Sequence, residues 1–240
     1  MKKIAIIPAR SGSKGLPNKN IRKLKDEPLL AYSVQAALDS GIYDCVHVST
    51  DSQKYADIAK KYGADVPFLR SEETSSDYAD SWSVVKEVLQ MYESMDSHFD
   101  FVTLLQPTSP LRDAEDIIGA FELFNDKNAD AVVSVCEMEH SPIWSNILPE
   151  DLSMDGFIGL DGNAQRQKLN TYYRINGAIY MVKNSFLHED SNLYRKGCYA
   201  FIMDRNHSID IDNLLDFKLA EFLIGEDCPK TKMNGKRSIK

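Results

Sequence analysis

Apolar residues along this chain fall into two kinds of stretch that take turns. Short unbroken runs at Ile4-Ala5-Ile6-Ile7, Cys45-Val46-His47-Val48-Ser49-Thr50, 66–69, Phe101-Val102-Thr103-Leu104-Leu105, Ala131-Val132-Val133-Ser134-Val135, 176–182 and 199–203 have the length and branching of strands. The more continuously apolar of them predict strands buried on both faces, as in a parallel sheet. Between them, apolar residues recur at helical spacing: Leu30, Val34 and Leu38 before Gly41; Ala56, Ile58, Ala59 and Tyr62 before Gly63; Val84, Val85, Val88, Leu89 and Tyr92; Ile117, Phe121 and Phe124; and a final helix over 214–223. The glycines that follow the first two are stop signals. Alternation of this kind predicts an α/β fold, a doubly wound, mostly parallel, Rossmann-like sheet with helices on both faces. The segment 71–80 reads as a polar loop.

The rhythm breaks from Glu137 to Tyr172. Two prolines, three glycines and few periodic apolar residues over some 35 positions make an insertion, either a lid or a contact surface, rather than a plain connection. The expected organisation is one domain over 1–226 that includes this 137–172 arm, followed by a polar, basic tail at 227–240.

Composition narrows the function. Of 240 residues 43% are hydrophobic, enough for one large core, and the formal net charge of −8 argues against nucleic acid or an acidic membrane as partner. The start, Met1-Lys2-Lys3 with four apolar residues and then Pro8, is too short for a signal peptide, and no long apolar span predicts a membrane segment. Cys45, Cys136, Cys198 and Cys228 are scattered without Cys-x-x-Cys spacing, which predicts neither zinc nor a disulfide scaffold and places the chain in reducing cytoplasm.

Against that acidic background the loop after the first strand stands out. Arg10-Ser11-Gly12-Ser13-Lys14-Gly15-Leu16-Pro17-Asn18-Lys19-Asn20 gathers three cations, two glycines and two serines directly behind a buried strand. Loops at the carboxyl ends of parallel strands are where open α/β sheets bind ligands, and glycines let backbone N–H groups close on an anion. The loop therefore reads as a polyphosphate cradle. It is neither a Walker loop, since Leu16 follows the second glycine, nor a Gly-x-Gly-x-x-Gly fingerprint.

The second chemical signal is Asp210-Ile211-Asp212. On an extended segment residues i and i+2 share a side, so both carboxylates face one point while Ile211 turns to the core. A pair of acids without a sequence-adjacent cation suits Mg2+, which takes one or two carboxylates plus substrate phosphates. The competing reading makes Asp212 the N-cap of the last helix and leaves Asp210 solvated.

Four segments in order, the leading loop, Leu104-Leu105-Gln106-Pro107-Thr108-Ser109-Pro110, Arg174-Ile175-Asn176-Gly177-Ala178-Ile179-Tyr180 and Ser208-Ile209-Asp210-Ile211-Asp212, resemble the acylneuraminate cytidylyltransferases, also called CMP-sialic acid synthetases. The likeness runs from residue 3 to about 224. It implies a nucleotide-diphospho-sugar transferase fold and a magnesium-dependent reaction that joins CTP to a nine-carbon 2-keto sugar acid and releases pyrophosphate. Arg10, Ser13, Lys14, Gly15, Lys19 and Asn20 match the family's triphosphate loop, with Lys19 foremost. Asn20, Arg70, Ala79 and Ser81 match positions around the cytidine, although Arg70 and Ser81 taken alone read equally well as structural. Gln106, Arg166, Arg174 and Tyr180 match positions near the sugar acid. A guanidinium fork suits a carboxylate, whereas Tyr180 on a buried strand also reads as core. Arg10, Lys19, Asp210 and Asp212 are the catalytic set by this likeness, with Asp210 and Asp212 holding the metal.

Two departures bear on the sugar. Ile175 stands where many sialic acid enzymes have proline, and Trp144 where a lysine can occur, which favours a less polar acid of the legionaminic type over N-acetylneuraminic acid. Pseudaminic and 3-deoxy-octulosonic acids remain alternative substrates, and a module that binds CTP without turnover remains an alternative function. The 137–172 arm resembles the part that packs two subunits together in the family, so a homodimer is expected.

Overall fold

The computed structural model describes residues 1–13, 15–76, 78–159, 170–189 and 192–225. Its centre is a six-stranded sheet. In chain order the strands are β1 (Lys3–Pro8), β4 (Cys45–Ser49), β5 (Phe101–Leu104), β6 (Ala131–Glu137), β7 (Tyr173–Lys183) and β8 (Cys198–Ile202), while β2 (Lys23–Leu24) and β3 (Glu27–Pro28) form a separate two-stranded ribbon. The spatial order is β4-β1-β5-β7-β6-β8. β1 runs parallel to β4 and β5, and β6 parallel to β8, while β7 is antiparallel to both β5 and β6. One reversed strand thus sits inside an otherwise parallel sheet.

The unbroken run of β1 is buried on both faces because helices cover both. Ala5 and Ile7 pack with Leu30, Val34 and Ala37 of α1 (Leu29–Asp39), Ala56 and Ala59 of α2 (Gln53–Lys61), and Ile117, Ala120 and Phe124 of α5 (Ala114–Asp126). Ile4 and Ile6 point the other way, onto Val85, Val88, Leu89 and Tyr92 of α4 (Ser81–Glu93). Burial of a Val, Leu or Ile side chain contributes about 1.5–3 kcal/mol, so these two faces carry much of the fold's stability.

A third, smaller cluster positions the site. Leu16 from the loop after β1, Leu24 from the ribbon, Leu29 at the head of α1, Ile211, and Phe217 and Ala220 of α7 (Leu214–Gly225) bury one another. The cationic loop and the acidic turn, almost 200 residues apart in sequence, are therefore fastened through a shared apolar contact.

The periodicity placed most elements; the β2–β3 ribbon and the reversal of β7 were not anticipated, and three local segments differ. The expected strand at 66–69 is instead a single bridge between His47 and Asp65, because Pro67 has no N–H with which to continue a ladder. The expected loop at 71–80 contains a short helix, α3 (Glu72–Ser75), whose cap Ser71 accepts from the Thr74 amide. A helix at Asn184–Glu189, α6, was not anticipated. The 137–172 insertion is irregular where described, apart from a 3-10 turn at Pro142–Trp144, while 160–169 and the 226–240 tail lie outside the described residues.

Candidate active site

At the carboxyl ends of β1, β4 and β5 a cleft of about 610 Å³ opens between the cationic loop, the 106–108 segment, the start of α4 and the acidic turn. Arg10, Ser13, Gly15, Lys19, Asn20, Arg70, Ala79, Ser81, Gln106, Asp210 and Asp212 all line it, joined by Pro8, Val84, Pro107 and Thr108. The structure therefore brings together residues that the sequence reading assigned separately to triphosphate, nucleoside, sugar and metal. Two do not line the cleft. Arg174 is exposed at the start of β7, its Nη2 donating to the Ser208 carbonyl at 3.3 Å. Tyr180 is half-buried on β7 and meets the Trp82 ring edge-on, the packing its core reading described. Lys14 and Arg166 lie outside the described residues.

The cationic loop is held at both ends. Behind β1, Asn20 Nδ2 donates to the Arg10 carbonyl at 3.0 Å, and the Ser11 amide and hydroxyl both donate to Asp51 at the end of β4, at 2.8 and 2.7 Å. At the far end, Lys19 Nζ donates to the Ile211 carbonyl at 2.6 Å and stands 3.7 Å from Asp212 Oδ1. Gly15 completes the closure: a Cβ there would lie 2.6 Å from the Asp212 carbonyl oxygen, so only glycine lets the loop approach the turn.

The acidic turn has the alternation its sequence predicts. The Ile211 amide donates to the Thr108 carbonyl at 2.8 Å and its side chain is fully buried, while Asp210 and Asp212 both face the cleft. Asp212 is not the cap of α7. Asn213 is, its Oδ1 accepting from the Leu215 and Asp216 amides at 2.8 and 3.2 Å, while Asp216 returns a contact from the Asn213 amide at 3.0 Å. That reciprocal pairing leaves the Asp212 carboxylate turned toward Lys19 and the cleft.

Charge in the cleft is shaped by burial. Asp210 binds its proton more tightly than an ordinary aspartate, first because it is buried and then because Asp212 is close, while Thr108, Lys19 and Arg174 work in the opposite direction. Its Oδ1 is buried without a hydrogen-bond partner among the described residues. Arg70 is buried, donates to the Ser49 hydroxyl and carbonyl at 3.0 and 2.7 Å, and is pushed down to about 10 by desolvation, with Arg10 adding to the fall and Asp51 and Glu87 opposing it. Beneath it His47, wedged against Phe68 and Tyr92, is pushed down to about 3 by burial and then by Arg70's charge, and so is neutral at ordinary pH.

Several residues that shape the site escaped the sequence reading. Asn176 accepts from the Ser134 hydroxyl at 2.6 Å and donates to the Ser208 hydroxyl at 2.9 Å, tying β7 and β6 to the base of the acidic turn. Gly177, at φ +77°, lies so close to Gln106 that a Cβ would stand 2.6 Å from its Oε1. Arg112 is fully buried and reaches the Gln106 and Ala178 carbonyls at 3.4 and 3.2 Å. Asn176, Gly177 and Arg112 sat in or beside quoted segments, but nothing in a linear pattern marks a buried tie. Away from the cleft, Asp113, Asp116 and His207 cluster at the start of α5, where the two aspartates form a capping box and His207 Nδ1 lies 2.8 Å from Asp116 Oδ2.

A parallel-rich sheet and a cationic glycine loop closing on an acidic turn at the strands' carboxyl ends define a nucleotidyltransferase-like α/β protein. No helix among the described residues is long and apolar enough to cross a membrane. Solved structures share the fold: a CMP:2-keto-3-deoxy-manno-octonic acid synthetase complexed with CTP superposes with a TM-score of 0.70 at 15% identity, over 94% of this chain and 99% of that one. A 4-diphosphocytidyl-2C-methyl-D-erythritol synthase from Anaerococcus prevotii gives 0.62 at 12% identity, over 94% and 99%. The chain belongs to the cytidylyltransferase family, whose model matches residues 4–222. Its relatives include an N-acylneuraminate cytidylyltransferase of Escherichia coli, 43% identical over 90% of this chain and 51% of that protein, and a CMP-N,N'-diacetyllegionaminic acid synthase of Legionella pneumophila, 38% identical over 93% and 97%. A pseudaminic acid cytidylyltransferase of Campylobacter jejuni is 33% identical over 93% and 96%. The chain thus spans about half the length of the first of these and nearly all of the other two.

Proposed function

We propose that this chain is a cytidylyltransferase that joins CTP to a nine-carbon 2-keto sugar acid and releases pyrophosphate. The observation that carries the reading is the closure of the cationic loop on the acidic turn, with Gly15 against the Asp212 carbonyl and Lys19 bridging to Ile211 and Asp212. In this reaction the anomeric hydroxyl oxygen of the sugar bonds to the α-phosphorus of CTP, the α–β phosphoanhydride bond breaks, pyrophosphate departs and the hydroxyl proton is released. Lys19 and Arg10 stand where charge grows on the departing pyrophosphate, and fixed cations in a partly desolvated cleft stabilise such charge without reorganising. Arg70, Asn20, Ala79 and Ser81 form the nucleoside side of the cleft, and Gln106, held by the close approach of Gly177, faces the sugar. Arg166, Arg174 and Tyr180 complete the sugar side in this proposal, and Lys14 the phosphate side.

Asp210 and Asp212 fit a divalent cation. Both supply hard oxygen donors to the same cleft, and the buried Asp210 Oδ1 lacks any other described partner. A bound Mg2+ offsets negative charge on the phosphate oxygens.

The proposed acid is of the legionaminic or N-acetylneuraminic type, supported by the activities of the Escherichia coli and Legionella pneumophila relatives. Ile175 is exposed and Trp144 flanks a separate small cavity with Glu137, Glu139 and Tyr172, so neither touches the main cleft within this chain. The 137–172 arm leaves Ile147, Leu152 and Met154 mostly exposed, which supports the homodimer as the state that covers them. The proposed setting is the cytoplasm. Pyrophosphate release from CTP and Mg2+ with N-acetylneuraminic, legionaminic, pseudaminic and 3-deoxy-octulosonic acids offered in parallel tests the reading. Turnover with either of the first two is expected, and silence with all four refutes it. A single monomeric species by light scattering at micromolar concentration refutes the dimer.

A further inference from the structure

Asp51 is an acid beside a site built for an anion, and its geometry explains why. β1 and β4 pair in parallel register as far as Pro8 and Ser49, and the Ala9 amide extends the ladder by one bond to the Ser49 carbonyl at 2.8 Å. The backbones then separate. Asp51 continues the connection with its side chain: Oδ1 accepts the Ser11 amide at 2.8 Å and Oδ2 accepts the Ser11 hydroxyl at 2.7 Å. The Ser11 carbonyl in turn accepts the Ser13 amide at 3.1 Å, so the first bend of the cationic loop starts from the residue that Asp51 grips. Asp51 is absent from the cleft lining.

A carboxylate pointing into the cleft without a cation to offset it would repel a triphosphate. Here both oxygens are engaged by Ser11, and the charge is shared with Arg70, which Asp51 helps to keep protonated. Those same hydrogen bonds and Arg70 hold its carboxyl below the usual carboxylate range against the opposing effect of burial. Two charge-assisted hydrogen bonds to adjacent donors of one residue fix its orientation as well as its position.

We propose that Asp51 is a positioning residue for the reaction described above. By clamping Ser11 it presets the first bend of the loop, Ser11 to Ser13, so that this bend is already formed when the triphosphate arrives. The assignment rests on the proposed use of CTP. It predicts that loss of the clamp appears as lost phosphate affinity and leaves the chemical step largely intact, because the ordering of the loop must then be completed by the ligand.

The test compares wild type, Asp51→Ala, Asp51→Asn and Ser11→Ala by calorimetry with CTP and, separately, with inorganic tripolyphosphate, alongside steady-state kinetics and thermal melting. Asp51→Ala is expected to weaken both ligands about 10–100-fold, the loss of hydrogen bonds to a charged group. Its KM for CTP rises in parallel, while kcat and the KM for the sugar acid stay within about threefold. Asp51→Asn keeps one acceptor for the Ser11 amide and recovers most of the affinity, and it also serves if the alanine variant fails to fold. Ser11→Ala added to Asp51→Ala costs little more than Asp51→Ala alone. Unchanged affinity in Asp51→Ala, a loss confined to kcat, or a fall in melting temperature without any change in affinity each overturns the assignment. If wild type takes tripolyphosphate but not CTP, the proposed function fails, and the tripolyphosphate affinities still decide the role of Asp51.

Discussion

Replacing Gly15 with alanine tests the closure on which the site depends. The added Cβ would lie 2.6 Å from the Asp212 carbonyl oxygen, where ordinary contact begins at 3.4 Å, so loop and turn must part by about 0.8 Å. Neither side yields easily. Leu16 and Ile211 share a buried cluster, and the Ile211 amide is bonded to the Thr108 carbonyl. A displacement near 1 Å between groups that act together costs on the order of 10²-fold in rate, equivalent to about 2.7 kcal/mol of transition-state stabilisation. The assay is CTP-dependent pyrophosphate release with the preferred sugar acid, with melting temperature read on the same samples. Gly12→Ala is the control. Its added methyl meets nothing within 4 Å among the described residues, so its melting temperature should match wild type and separate steric displacement from simple loss of glycine freedom. Turnover in Gly15→Ala within threefold of wild type would refute the reasoning, because the loop would then not depend on its approach to the acidic turn.

Further outcomes follow from the same geometry. Lys19→Ala removes the bridge to Ile211 and Asp212 and should lower kcat/KM about 10²–10³-fold; near-full activity would remove Lys19 from the catalytic set. Asp212→Ala should melt like wild type yet lose most turnover, since its side chain is 78% exposed and caps nothing, whereas Asn213→Ala removes the true cap of α7 and should lower the melting temperature by about 2–4 °C. Equal melting of the two variants would contradict the capping assignment. His207 holds its proton more tightly in the folded state than the ordinary 6.5, chiefly through its hydrogen bond to Asp116. Its contribution to stability is therefore complete below pH 6.5 and is lost as pH rises through the raised folded value. Melting curves of wild type and His207→Asn should lie furthest apart in acid and converge in alkali, and a gap that widens with rising pH would reverse the sign.

Much of this was legible in the chain, for reasons particular elements make plain. Ile4 to Ile7 had to lie in a doubly covered strand because no half-solvated strand tolerates four consecutive apolar residues. The spacing in Asp210-Ile211-Asp212 put both carboxylates on one side, and the structure has both facing the cleft with Ile211 buried. Periodicity is silent on strand direction, so the reversal of β7 between β5 and β6 was not readable, since a buried run looks alike whichever way it runs. The strand expected at 66–69 failed because its apolar residues pack from a loop, with Pro67 unable to donate. Asp212 as a helix cap was undecidable in sequence, where Asp212 and Asn213 both qualify. Reciprocal bonds between Asn213 and Asp216 settle it.

The sequence by itself determined the layers, the cationic loop and the acidic pair, because each rests on local pattern: periodicity, glycine, and charge at fixed spacing. Only the tertiary structure decided that loop and pair share one cleft, that Gly15 is needed there because a backbone carbonyl nearly 200 residues away occupies the space a side chain would take, and that Asp51 grips Ser11. Those facts depend on long-range approach, which burial of Leu16 against Ile211 and the pairing of β1 with β4 enforce. No arrangement of neighbours in a linear chain encodes such distances visibly, since what sets them is the packing of the whole core.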